Sequence, residues 1–199
     1  MSSHIHTYLN LMHEVKRRHL SLNAAYEEPR RLVFKAAVID HCYLQIRKIL
    51  ELISFSILSA NQHALEAMQH GKNRDYNAEK ILRSIERKFG SVYPKPIQQV
   101  MDPRPGVRAD FVDLEDGYLT RAEFSSLYGE CGDVVHGRNP FRKPIDLDYY
   151  WARVPEWSDK IRCLLNSHVA TIVKDPHLYL VQMAAADDRP TVSTFARKE

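Results

Sequence analysis

Leu127-Tyr128-Gly129-Glu130-Cys131-Gly132-Asp133-Val134-Val135-His136-Gly137-Arg138-Asn139-Pro140 is an amphipathic run that stops on a histidine. Thr120 with Glu123 forms a capping box in front of it, and Phe124, Leu127, Tyr128, Cys131, Val134 and Val135 recur at helical spacing as far as His136. Gly137 and Pro140 then end the helix. The imidazole, a side-chain type suited to proton transfer near neutral pH, therefore stands at a helix terminus. Such a histidine has two readings: it interacts with the last carbonyls and the helix dipole, or it belongs to a polar site. The residues that follow supply what a site needs, since Arg138, Asn139, Arg142 and Lys143 offer donors suited to phosphate and Phe141 a ring on which a base can stack.

Upstream lies the most apolar part of the chain. Glu27, Glu28 and Pro29 give a helix start, and no Gly or Pro intervenes from there to about His70, so the spacing predicts one long helix, with a kink allowed around residues 54–59. Asp40, Arg47 and Glu51 share one narrow stripe of it, flanked by Leu44 and Leu58, while Ile39, Cys42, Ile46, Ile49, Leu50, Leu52, Ile53, Phe55 and Ile57 cover the other directions. That pattern predicts a helix buried in a core or across a subunit interface, with the Ile49–Leu58 face available to a second copy or to a protein partner. The stripe is either an Arg47–Glu51 pair that steadies its own helix or half of a polar site completed by another element, His136 being the natural counterpart.

Around these two segments the chain reads as follows. Ile5, Leu9, Met12 and Val15 mark a first amphipathic helix closed by Lys16, Arg17 and Arg18. Asn77 caps a short helix carrying Ile81, Ile85 and Phe89, which Gly90 ends. Pro94, Pro96, Pro103 and Pro105 make residues 91–119 a long loop, with room for short strands around Val107 to Leu114. Asp146 to Val154 and Pro155 to Val173 read as two helical pieces, and Leu178–Met183 with Thr191–Phe195 as a C-terminal hairpin. The division expected is an N-terminal helix and linker over 1–28, a helical domain over 29–175 and a hairpin tail over 176–199.

Composition narrows the classes. The 199 residues, 44% of them hydrophobic, suffice for one core, and a net charge of +3 permits a nucleic-acid partner without demanding one. Cys42, Cys131 and Cys163 are odd in number and scattered, which argues against a disulfide framework and a zinc site. His4, His6, His13, Lys16, Arg17 and Arg18 stand where a secretory signal would need an apolar core, and Ile49–Leu58 is too short to span a bilayer, so the chain is expected in the cytoplasm, off the membrane. No phosphate-binding glycine loop, HExxH or GxSxG is present, and neither a metal nor a cofactor is expected.

Over roughly residues 29–173 the chain resembles the HEPN superfamily of helical domains found in prokaryotic toxin–antitoxin and abortive-infection systems. The resemblance rests on an Arg-x-x-x-Glu element in a long helix, Arg47 to Glu51, and on a later helix ending in Val135-His136-Gly137. It implies a mainly α helical bundle, here with an N-terminal helix, a proline-rich loop and a small C-terminal β-hairpin. It further implies metal-independent RNA cleavage by a homodimer whose paired RxxxxH motifs face each other. Four, five and six residues before His136 stand Gly132, Cys131 and Glu130, so the motif arginine is absent and would have to be replaced by Arg47 or Arg138. The expected site is thus His136, Arg47 and Glu51 for catalysis, with Arg138, Asn139, Arg142 and Lys143 holding RNA. The alternatives are a degenerate relative that binds RNA without cutting it, and a non-enzymatic dimerising adaptor.

Overall fold

The computed structural model describes residues 3–61, 77–101, 110–136, 141, 144–184 and 188–196. Its axis is helix α2, Lys35–Ala60, whose 26 residues span about 39 Å at the usual helical rise. Ile39, Ile46, Ile49, Leu50 and Ile53 of this helix are wholly buried. Helix α1, Ser3–Glu27, packs along it through Tyr8, Met12 and Leu22, and α3, Ala78–Phe89, adds Leu82 and Ile85. Helix α4, Arg121–Val135, brings Phe124, Leu127 and Cys131 to the same core, and α5, Leu147–Leu165, brings Ile161 and Leu164. Each fully buried aliphatic side chain stabilises the fold by about 1.5–3 kcal/mol. The caps expected of two of these helices are present: the Asn77 side chain accepts from the Lys80 amide at 3.0 Å, and Thr120 and Glu123 form the reciprocal box that starts α4.

The architecture is not the mainly helical bundle with one small hairpin that the resemblance implies. It is mixed α and β, with a five-stranded antiparallel sheet in the order β2-β1-β3-β4-β5. Strands β1, Lys95–Val100, and β2, Asp110–Asp113, come from the stretch expected to be loop, and β3, Ser167–Ala170, comes from the stretch expected to be helix as far as Val173. The hairpin of β4, His177–Gln182, with β5, Thr191–Ala196, does form, but as the continuation of this sheet. Pairing of β1 with β3, Lys95 opposite Val169 and Pro96 opposite His168, joins segments some seventy residues apart, and local spacing carries no trace of such contacts.

The long helix also begins later than its spacing suggests. Pro29–Leu32 is a 3-10 turn, after which the chain folds back around Val33, at φ 67°, with the Phe34 amide donating to the Leu32 carbonyl at 2.7 Å. This γ-turn places a β-branched residue in the left-handed region and separates the turn from α2. The expected continuation to His70 lies outside the described residues beyond Asn61. Further on, the two helical pieces expected on either side of Pro155 are one helix, Leu147–Leu165, capped by Asp146 and running through Pro155.

Candidate functional site

Arg47 projects from the middle of α2 towards α4 and is held on three sides. Its Nε lies 3.4 Å from Glu51 Oε1, one turn along α2. Its Nη2 donates to the Tyr128 hydroxyl at 3.3 Å, and its guanidinium carbon stands 4.6 Å from the centre of the Tyr128 ring. On the third side is Gly132: a Cβ built there would lie 3.3 Å from Arg47 Nη1, whereas one at Gly129 would meet nothing within 4 Å. The guanidinium thus occupies space that a side chain at position 132 would otherwise approach. Glu51 is also bound by Lys48, whose Nζ is 2.9 Å from Oε2. The side chains of Arg47 and Glu51 are only 23% and 15% exposed, so the pair is screened more weakly than a surface pair.

His136 is the C-terminal cap of α4, and its backbone amide donates to the Gly132 carbonyl at 3.3 Å. It is exposed, one helical turn beyond the glycine against which Arg47 lies. The fold therefore gathers Arg47, Glu51, Tyr128 and Gly132 tightly and sets His136 at the open end of the same helix. Asp40, from the same stripe, is exposed. Arg138, Asn139, Arg142 and Lys143 lie outside the described residues, and Phe141 is 95% exposed.

The electrostatic surroundings are uneven. Burial pushes the Cys131 thiol well above its ordinary range despite the opposing charge of Arg47. Burial likewise raises the Glu130 carboxyl, against the pull of Arg153, whose Nη1 is 3.4 Å from Glu130 Oε1. Glu130 Oε2 is buried with no hydrogen-bond partner. The Arg153 guanidinium stacks over Trp157, at 4.7 Å from the ring centre, and ties the start of α5 to the last turns of α4.

By spacing Tyr128 belongs to the core stripe and Gly132 stands where the motif arginine is missing, while nothing in the local pattern marks Arg153. A signal for Gly132 was available, because a glycine inside a helix costs about 1 kcal/mol relative to alanine and usually has a packing reason. The reading of Ile49–Leu58 as a surface for another chain meets a different outcome. Ile49, Leu50, Ile53 and Ile57 are buried within this chain, so the apolar face offered for docking is covered by its own helices. Among the described residues no group of three His, Cys, Asp or Glu side chains is arranged to hold a metal ion, and no helix is long and apolar enough to cross a membrane. Comparison of the chain with protein-family models, with curated proteins and with solved structures returns no match.

Proposed function

We propose that this chain is a HEPN-type, metal-independent endoribonuclease of a prokaryotic defence or mobile-element system, acting in the cytoplasm as a homodimer, with its chemistry mounted on a mixed α and β scaffold. The observation that carries the reading is the guanidinium of Arg47 beside Gly132, one turn before His136. In the family the arginine stands on the histidine's own helix; here α2 delivers it to that helix from the side. Glu51 and the Tyr128 ring fix its direction, which lowers the entropy lost when it meets a phosphate.

The chemistry follows from these groups. His136 accepts the proton of a ribose 2′-hydroxyl as that oxygen attacks the adjacent phosphorus. The bond from phosphorus to O5′ breaks, giving a 2′,3′-cyclic phosphate and a 5′-hydroxyl. Arg47 neutralises the charge that builds on the phosphorane oxygens. The departing O5′ takes its proton from the imidazolium of a second copy facing the first, the arrangement the resemblance implies. Arg138, Asn139, Arg142 and Lys143 hold the strand, and Phe141 stacks on a base.

The test is incubation of the purified chain with a ribo-oligonucleotide and its DNA counterpart in EDTA. Cleavage of the RNA alone is expected, with a loss of about 100-fold or more in His136→Ala at unchanged fold. Full activity in that variant, a strict metal requirement or an uncut RNA would contradict the reading.

A further inference from the structure

The sheet end of the molecule carries a second polar feature, remote from His136. Leu119, before α4, donates its amide to the Lys160 carbonyl at 2.9 Å, while Arg153 meets Glu130 near the other end of that helix, so α4 and α5 run antiparallel. From Arg153 to Arg162 is about 14 Å along α5. There the helix ends over the sheet and leaves a two-part cleft.

The larger part, about 470 Å³, is polar. Gln98 and Gln99 of β1, Gln182 of β4, and Asn166 and Ser167 just beyond α5 line it, with Arg162 on its rim. The smaller part, about 180 Å³, is apolar and lined by Leu20, Ile161, Leu165 and Met183. Arg162, Asn166 and Ala184 border both parts, so the two lie side by side.

Asn166 and Gln182 bring primary amides to this concave surface, and Gln99, on the same sheet face as Ser167 and Gln182, adds a third, whereas its neighbour Gln98 turns to the opposite face. Gln99 and Asn166 are exposed and Gln182 is half-buried, so these amides are open to a ligand. An amide offers a donor and an acceptor without charge, which suits a ligand edge that alternates the two, as the edges of nucleobases do. Among the described residues the Arg162 side chain pairs with Asp159, one turn back at 3.2 Å, and both side chains are more than half exposed at 57% and 69%. An exposed pair of this kind holds its arginine weakly, and a phosphate can displace it. The apolar part next door accepts the face of a ring. A polyphosphate would call for more cations than Arg162 and Lys16, and the Lys16 ammonium is already held by Asp188 and the Met183 carbonyl. A sugar would call for stacking on a broad ring, and no Phe, Tyr or Trp lines either part.

We propose that this cleft binds a nucleoside monophosphate unit, its phosphate on Arg162 and its base between the amides and the apolar part. The unit is either a free nucleotide or the phosphorylated end of an RNA strand. This site is separate from the His136 site and does not depend on whether that site cuts RNA.

Calorimetric titration of the full chain with the four ribonucleoside 5′-monophosphates, with inorganic phosphate and with a 5′-phosphorylated trinucleotide tests this. At least one monophosphate is expected to bind where inorganic phosphate does not. Arg162→Gln should weaken that binding about tenfold, and Gln99→Ala with Gln182→Ala should change the preference among bases. Cys163 lines the polar part and is half-buried, whereas Cys42 and Cys131 are buried, so slower alkylation of Cys163 locates the ligand. Tighter binding of the trinucleotide assigns the site to strand ends, and equal or weaker binding assigns it to free nucleotides. No binding of any monophosphate at millimolar concentration, equal binding of inorganic phosphate, or an affinity that ignores both Arg162→Gln and the amide pair would overturn the proposal.

Discussion

His168 shows how much one buried polar residue can govern. It is wholly inaccessible in β3, its Nδ1 donates to the Leu165 carbonyl at 2.8 Å, and its Nε2 accepts from the Tyr8 hydroxyl at 2.7 Å. Burial lowers its pKa to about 4 from the ordinary 6.5. The folded chain therefore keeps this imidazole neutral while the unfolded chain takes up a proton, so stability is fully present above about pH 6.5 and falls as pH drops towards about 4. Burial lowers the His19 pKa as well, which acts in the same direction. Denaturant melts at pH 7.5 and pH 4.5 should differ by about 2–3 kcal/mol, and His168→Gln should lose most of that difference; a slope that persists in the variant would assign the effect elsewhere. None of this was legible beforehand, because His168 sits at helical spacing with Ile161, Leu164 and Leu165, and its partner Tyr8 is 160 residues away. Arg47 and Glu51 were legible, since their spacing alone puts two opposite charges on one face of an apolar helix. A glycine inside the helix at 132 signals some close approach, but that Arg47 makes it depends on which helix lies opposite.

At the scale of elements, what local chemistry dictates could be read and what pairing dictates could not. Asn77, Gly90, and Thr120 with Glu123 fix their own helix ends through bonds to nearby backbone, and α3 and α4 begin where those residues stand. Residues 91–119 look like loop because prolines break regular patterns, yet Pro96 sits inside β1, opposite His168. The β-branched run Val169, Thr171, Ile172 and Val173 was the available sign that α5 would stop and a strand begin. Pro155 misled differently, since it suggests a boundary and instead lies within α5, leaving the Trp151 carbonyl without the amide that would normally donate to it. Pro155→Ala should therefore raise stability by about 1–3 kcal/mol, measured as a shift of the urea midpoint at unchanged slope. A lower midpoint would mean that the ring's packing outweighs the missing bond.

The whole molecule is organised by α2, which puts the fold's long axis and its most buried residues in one element and leaves its single charged stripe facing α4. The helical layer bears His136 and Arg47 at one end of α5, and the sheet bears the amide-lined cleft at the other. That division explains why the sequence suggests a helical bundle and not the sheet: Arg47, Glu51 and His136 lie in helices with strong local signals, and the sheet is assembled from short, distant strands. The central claim is that Arg47, delivered from α2, does the work of an arginine that α4 lacks. The most direct test is the single-turnover rate of ribo-oligonucleotide cleavage in EDTA for the wild-type chain and for Arg47→Ala, with thermal melting of both. The account predicts a loss of about 100-fold or more from removing a charge that stabilises the transition state, with the melting transition kept cooperative; cleavage by Arg47→Ala at the wild-type rate would contradict it.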